Sequence, residues 1–166
     1  MKKIKLSNGV EIPQLGYGVY QVEPDECERC VQDALSVGYR MIDTAQAYLN
    51  EEAVGNAWKK SGVNRDEIFL VSKVWHSNYG DGQTMKSIDE SLRKLQTDYI
   101  DLMLLHQPYC DRYGAYRDLE KAYKAGSNFA LGFLIGLSSI EKYSNCFRLT
   151  ITPRKGVKVI VVSKGI

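Results

Sequence analysis

The sequence is poor in cysteine, has little net charge and contains no long apolar run. Its four cysteines in 166 residues are too few and too scattered for a disulfide framework. A net charge of +2 is too small to favour a nucleic-acid groove or an anionic membrane surface. No apolar run approaches the roughly 18 residues of a membrane-spanning helix, and MKKIKLSNG lacks the apolar stretch of a secretory signal. We therefore expect a cytoplasmic protein that binds neither nucleic acid nor membrane.

Two of the cysteines, Cys27 and Cys30, form a C-x-x-C pair. A redox-active pair of this kind follows a strand and opens a helix, whereas this pair lies inside a segment with helical apolar spacing. The pattern favours small side chains on the buried face of a helix. A redox role remains the alternative. A zinc site is less favoured still, because no second C-x-x-C or histidine pair accompanies it.

Strand-like and helix-like patterns alternate along the first 126 residues. Asn8-Gly9 suits the turn of an N-terminal β-hairpin. Buried strands are predicted over 40–43, 68–75 and 99–106, and helices over 24–38, from about 53 to 62, from 85 to 95, and from about 119 to 124, where Ala125-Gly126 ends the last one. About 30 residues separate successive strand ends, which is the length of a βαβ unit and predicts a parallel sheet.

The pattern breaks after Gly126. Residues 127–166 contain no clean helical pattern, and they end in an exposed-looking β-rich run at 157–162. We therefore predict one coherent unit over 1–126 and a divergent tail over 127–166.

Polar residues occupy the carboxyl ends of three predicted strands. Asp43 ends one strand, Lys73 lies near the end of the next, and His106 ends the third. In a parallel α/β sheet or barrel, functional side chains converge at this edge. Alone, the lysine would be explained by a position in an edge strand. Alone, the histidine would be explained as a core residue whose ring is hydrogen-bonded. Three together are hard to explain as packing, because burial of unpaired charge is costly.

The chemistry of these side chains is complementary. Tyr48 lies five residues beyond Asp43, where a loop can bring it back over the strand ends. An Asp43–Lys73 pair would hold an ammonium beside the phenol, and we expect this to lower the pKa of Tyr48. His106 could orient a carbonyl oxygen. The set therefore suits protonation of an oxygen while another group delivers hydride. The alternative for Tyr48 is an ordinary loop aromatic, one of 11 tyrosines.

Four segments together resemble the aldo-keto reductase family. GYRMIDTAQAYLNEEAVG (38–55) resembles its first signature, FLVSKVW (69–75) its lysine strand, and residues 98–126 its second signature and the helix after it. LGYGVYQV (15–22) is similar to the family's first strand. His-Gln-Pro at 106–108 resembles bacterial members of the diketogluconate-reductase-like branch.

The resemblance implies an α/β fold, the (β/α)₈ TIM barrel, of which only about the first four βα units are recognisable after the hairpin. It also implies NADPH-dependent reduction of a small aldehyde or ketone to an alcohol, without a metal. Tyr48 would be the general acid, with Lys73 and Asp43 as its partners. His106 would orient the carbonyl, and Asp43 would also contact the nicotinamide ribose. The implied substrate-binding residues are Tyr20, Trp75 and His106.

The family's later strands and loops, which hold the carboxamide and the adenosine phosphate of the cofactor, cannot be assigned here. A second hypothesis is therefore a catalytically inactive, truncated remnant, and a third is a non-catalytic binding or regulatory protein. A homodimer that closes two half-barrels would relieve the open sheet edges of a partial barrel.

The tail permits a reading-frame hypothesis. Residues 131–135, LGFLI, can be encoded by TTGGGGTTTCTAATT, and this string read from its third base gives Gly-Val-Ser-Asn. The family's next strand usually reads Ile-Gly-Val-Ser-Asn. A frameshift near Gly126 would therefore explain the break. Coincidence is the alternative, because codon degeneracy makes short matches easy. If no frame of the coding DNA restores a reductase-like sequence, the hypothesis fails.

Overall fold

The structure, a computed structural model, describes residues 2–5, 11–80, 82–124, 129–133, 148–150 and 159–163. It begins with the predicted hairpin, in which β1 (Lys3–Lys5) pairs antiparallel with β2 (Glu11–Pro13). Ile4 lies opposite Ile12. The predicted Asn8-Gly9 turn lies outside the described residues.

A second sheet of seven strands forms the body of the fold. Its strands are β3 (Tyr17–Gly18), β4 (Met41–Asp43), β5 (Phe69–Val74), β6 (Ile100–Leu105), β7 (Phe129–Phe133), β8 (Arg148–Thr150) and β9 (Val159–Ser163). They are ordered β3-β4-β5-β6-β7-β9-β8. Pairing is parallel from β3 through β9, and β8 lies antiparallel to β9. The parallel sheet was predicted, and β9 overlaps the β-rich run expected at 157–162. β7 was not predicted.

Four helices follow the first four strands of this sheet. They are α1 (Pro24–Ser36), α2 (Glu51–Lys60), α3 (Gln83–Leu95) and α4 (Arg112–Lys124). Pro24 opens α1 with two acidic residues in the first turn, which suits the positive end of the helix dipole. Gly38 follows α1 with φ +100°, a conformation that glycine adopts without steric cost. The proposed end of α4 at Ala125-Gly126 lies outside the described residues.

Alternation along the strands separates two hydrophobic clusters, because successive side chains of a strand point to opposite faces. One cluster packs the sheet against the helices and includes Leu70, Val74, Met103 and Leu105. The other lies on the opposite face and consists of Phe69, Val71, Leu102 and Leu104, with Ile12 and Met41 packed against it. Odd-numbered residues of β5 and even-numbered residues of β6 therefore lie on the second face, opposite the helices. Lys73 and His106 follow the same alternation and lie on that face.

The C-x-x-C pair lies within α1, as the helical spacing predicted. Cys27 is fully buried and Cys30 half-buried. Burial, together with the neighbouring Cys30, raises the pKa of Cys27 to about 11. Redox-active pairs instead need a thiol with a lowered pKa, so this environment favours the packing role.

Arg65 joins the amino-terminal ends of β5 and β6. Its guanidinium donates to Asp101 Oδ2 at 2.8 Å and to the carbonyl oxygens of Ile68 at 2.6 Å and Tyr99 at 2.8 Å. Asp101 Oδ2 also accepts from the Leu70 N–H at 3.0 Å. Both side chains of this ion pair are about nine-tenths buried, so the pair fixes the strands opposite the end that carries Lys73.

Among the described residues, no helix is both long enough and apolar enough to cross a membrane.

Candidate active site

The predicted polar side chains lie at one end of the parallel sheet. Asp43 is the last residue of β4, Lys73 is the penultimate residue of β5, and His106 directly follows β6. The His106 N–H donates to Val74 O at 3.0 Å, which extends the ladder between β5 and β6 by one residue. Because all three residues lie at the carboxyl ends of adjacent strands, they form one cluster.

Lys73 is the centre of this cluster. Its Nζ donates to Asp43 Oδ1 at 2.5 Å, to Thr44 O at 3.0 Å and to Tyr48 Oη at 3.3 Å. The Lys73 side chain is only 4% exposed, whereas the Asp43 side chain is 31% exposed. Burial lowers the pKa of Lys73, and the Asp43 carboxylate opposes that shift. The three acceptors use the three donors of an ammonium, so the lysine is held in one orientation.

Tyr48 comes from a short 3-10 turn, Gln46–Tyr48, that follows β4. Burial, and secondly the negative charge of Asp43, raise the pKa of Tyr48 to about 12. The prediction that Lys73 lowers this pKa is therefore wrong. Lys73 is already paired with Asp43 at 2.5 Å, so the carboxylate offsets its field at the phenol, and desolvation dominates. As a result the phenol stays protonated at neutral pH and can donate a proton.

His106 provides a neutral ring beside the phenol. Burial, and secondly the Lys73 charge, lower the pKa of His106. Its ring lies edge-on to Tyr48, with 5.7 Å between centroids, and edge-on to Trp75, with 5.1 Å. Its Nδ1 is buried and has no hydrogen-bond partner among the residues that the structure describes. A neutral imidazole carries one N–H donor, which is the group needed to orient a carbonyl oxygen.

Aromatic side chains surround this polar cluster. Tyr20, which follows β3, lies against Tyr48 with 5.1 Å between ring centroids, and 65% of its surface is exposed. Trp75, which follows β5, contacts both His106 and His76. The structure thus brings all six predicted site residues together at one end of the sheet, while their catalytic and binding roles stay predictions.

Asn50 is a supporting residue to which the sequence analysis gave no role. Its side chain is buried, and its Nδ2 donates to Val19 O at 2.9 Å and to Val22 O at 3.1 Å. Its Oδ1 accepts from Thr44 Oγ1 at 2.8 Å. Asn50 therefore ties the Tyr48 turn to the loop that carries Tyr20. The only signal in the sequence was its place two residues after Tyr48, within the first-signature segment 38–55.

Parallel strands that alternate with helices, with polar side chains at the carboxyl ends of the strands, are the arrangement of an α/β barrel. The chain belongs to the aldo/keto reductase family, whose model matches residues 12–162. The resemblance proposed from four segments is thereby confirmed. The match runs beyond residue 126, and the division into 1–126 and 127–166 stays a prediction.

Two similar proteins are named as reductases. A glyoxal reductase of Bacillus subtilis is 48% identical over 131 residues, which are 78% of this chain and 48% of that protein. A methylglyoxal reductase of Escherichia coli is 50% identical over 105 residues, which are 63% of this chain and 38% of that protein. The chain therefore spans about half the length, or less, of these curated relatives.

Solved structures show the same fold. A candidate 2,5-diketo-D-gluconic acid reductase B is 40% identical, with a TM-score of 0.72, covering 82% of this chain and 50% of that one. A Bombyx mori aldo-keto reductase in complex with NADP is 30% identical, with a TM-score of 0.72, covering 79% of this chain and 50% of that one. The predicted TIM-barrel fold is thus confirmed, with the described residues forming its first part.

Proposed function

We propose that this chain carries the catalytic centre of an NADPH-dependent reductase of small aldehydes and ketones, with Tyr48 as the proton donor. The observation that carries the proposal is the position of Lys73 Nζ, 2.5 Å from Asp43 Oδ1 and 3.3 Å from Tyr48 Oη. This arrangement supports the proposal because Lys73 would hold a protonated phenol in one position at the carboxyl ends of the strands.

Tyr48 would protonate the carbonyl oxygen as hydride reaches the carbonyl carbon. Its pKa of about 12 keeps the proton on the phenol until negative charge develops on the substrate oxygen. Lys73 donates to Tyr48 Oη at 3.3 Å and would stabilise the phenolate that forms as the proton leaves. The N–H of the neutral His106 ring would orient the same carbonyl oxygen, so the phenol and the imidazole would both donate to one atom.

The residues present suit the nicotinamide end of the cofactor, which supplies the hydride when bound. Lys73 donates a hydrogen bond to Asp43 Oδ1, but the Asp43 side chain remains 31% exposed. It can therefore also accept a hydrogen bond from a ribose hydroxyl, as the resemblance implies. The family's NADP-bound relative supports this choice of cofactor.

The substrates that we propose are α-oxoaldehydes such as methylglyoxal. Names of the relatives, glyoxal reductase and methylglyoxal reductase, support this class. The half-buried ring of Trp75 and the exposed ring of Tyr20 would form the apolar surfaces against which a small carbonyl compound packs.

A fluorescence titration of the purified, folded chain with NADPH tests the proposal first. Saturable binding followed by methylglyoxal-dependent loss of nicotinamide absorbance would support it. A folded chain that binds no NADPH would contradict it, and would favour the non-catalytic binding protein instead. Mass measured at several protein concentrations during the same titration tests the proposed homodimer.

A further inference from the structure

We infer that Gln46 is a positioning residue for this site: its side-chain amide joins the turn that carries Tyr48 to the end of β5 that carries Trp75. It also anchors both on α3. The inference rests on the proposed function, because it assigns Gln46 a role in the same reaction.

The amide of Gln46 makes four hydrogen bonds with residues distant in sequence. Its Oε1 accepts from the Trp75 backbone N–H at 2.9 Å and from Asn78 Nδ2 at 3.0 Å. Its Nε2 donates to Ser87 O at 3.0 Å and to Ser91 Oγ at 3.0 Å. The orientation of the amide is fixed, because a backbone N–H can only donate and a carbonyl oxygen can only accept. The side chain therefore uses its full hydrogen-bonding capacity.

These bonds fix two parts of the site, the turn that carries Tyr48 and the aromatic side chain of Trp75. Gln46 begins the turn that ends at Tyr48, so a shift of Gln46 moves the phenol. Trp75 follows β5, and its ring lies 5.1 Å from the ring of His106. One amide thus sets the distance between the proton donor and an aromatic wall. Displacements of about 1 Å at a reacting group can cost up to about 100-fold in rate.

The anchor of Gln46 on α3 is itself fixed by a buried carboxyl group. Ser91 Oγ lies 3.3 Å from Glu51 Oε2, and Ser72 Oγ donates to Glu51 Oε1 at 2.6 Å. Ser72 directly precedes Lys73 in β5. The network therefore joins α2, α3 and β5 behind the turn, and gives Gln46 a rigid base.

Loss of the amide should leave the fold intact. Gln46, Trp75 and Asn78 all line an open cleft of about 710 Å³. Water can enter this cleft and satisfy the groups that the amide leaves behind. A Gln46→Leu variant should therefore fold and can be assayed.

The test combines steady-state kinetics with a readout that does not need turnover. The chain has two tryptophans, Trp58 and Trp75, so labelling with 5-fluorotryptophan gives two fluorine resonances, which a Trp75→Phe variant assigns. In Gln46→Leu we expect kcat to fall about tenfold, with a smaller change in KM, and the Trp75 resonance to move. Gln32→Leu is the matched control, because Gln32 is also half-buried but its amide makes a single bond to Glu28 Oε1 at 3.4 Å; it should change neither.

A Gln46→Glu variant adds a pH-dependent test. Its carboxylate can still accept a hydrogen bond from the Trp75 N–H, but it cannot donate one to the Ser87 carbonyl oxygen. When protonated, the introduced carboxyl can donate again, so kcat should recover at acidic pH with an ionisation absent from the wild type.

The inference is overturned if Gln46→Leu leaves either kcat or the Trp75 resonance at its wild-type value, or if Gln32→Leu reproduces both changes. If the wild-type chain reduces no carbonyl compound, the proposed function fails separately. The Trp75 resonance then decides alone whether Gln46 fixes this wall of the site.

Discussion

Replacement of Gly55 by alanine tests the close approach of α2 and α3, on which the support behind the Tyr48 turn depends. A Cβ at this position would lie 2.3 Å from Lys94 O and 2.9 Å from the carbonyl carbon of Leu95. Both are backbone atoms, so no side chain can rotate away. The helices would have to separate by about 1 Å to restore ordinary contact, an overpacking that typically costs about 1–3 kcal/mol.

Two further terms set the net effect of Gly55→Ala. Helix separation would weaken the bond from Trp58 Nε1 to Leu95 O, now 2.8 Å, at about 1 kcal/mol. Alanine gains about 1 kcal/mol over glycine in a helix. We therefore expect a loss of about 2 kcal/mol in the free energy of unfolding, which corresponds to a Tm roughly 4–8 °C lower for a domain of this size.

Thermal unfolding followed by circular dichroism measures the effect of Gly55→Ala. Gly18→Ala is the matched control, because a Cβ at Gly18 meets nothing within 4 Å; its effect should stay within about 0.5 kcal/mol. If Gly55→Ala matches or exceeds the wild-type Tm, helix propensity outweighs the steric clash and the argument is refuted.

Three other predictions follow from the buried polar groups. Burial raises the pKa of Glu51, so the folded protein binds this proton more tightly than the unfolded chain, and the contribution to stability is lost as pH rises through the folded pKa. Glu51→Gln should therefore gain stability relative to wild type in urea unfolding as pH rises above about 4.3, the ordinary glutamate pKa; a pH-independent difference would contradict this. Asp101→Ala removes the carboxylate that pairs with Arg65, whose side chain is 13% exposed, and should lower the free energy of unfolding by about 3 kcal/mol. A free energy from urea unfolding within about 1 kcal/mol of wild type would argue against a stabilising ion pair at this end of the strands. A difference absorbance titration between wild type and Tyr48→Phe should place the phenol near pH 12, and a transition near neutral pH would restore the lowered pKa that we first expected.

The placement of the site could be predicted from the sequence because strand geometry is local and periodic. Asp43, Lys73 and His106 lie at the ends of three apolar runs, and parallel strands bring such ends together. Alternation of side chains then puts Lys73 and His106 on the face opposite the helices. The position of Tyr48, five residues beyond Asp43, suggested that it joins the cluster, and the family resemblance implied the same role as general acid.

The parts that sequence reasoning missed depend on contacts between distant segments. The hydrogen-bond partners of Gln46 lie 29 to 45 residues away in the sequence. Helical or strand periodicity cannot predict a bond between segments so far apart. The pKa of Tyr48 is raised first by burial and secondly by the Asp43 charge, and both effects depend on the surroundings of the phenol rather than on its residue type. β7 was missed because its sequence, FALGF, interrupts an apolar run with a glycine, a residue depleted in strands.

The central claim is that Tyr48 protonates the substrate, and reduction of methylglyoxal by the Tyr48→Phe variant tests it most directly. Tyr113→Phe is the control, because Tyr113 is 64% exposed on α4 and lies outside the cluster. With NADPH in excess, Tyr48→Phe should lower kcat by about 10²–10⁴-fold while it retains the wild-type circular dichroism spectrum, and Tyr113→Phe should be unchanged. A Tyr48→Phe variant that turns over at the wild-type rate would exclude Tyr48 as the acid and contradict the mechanism.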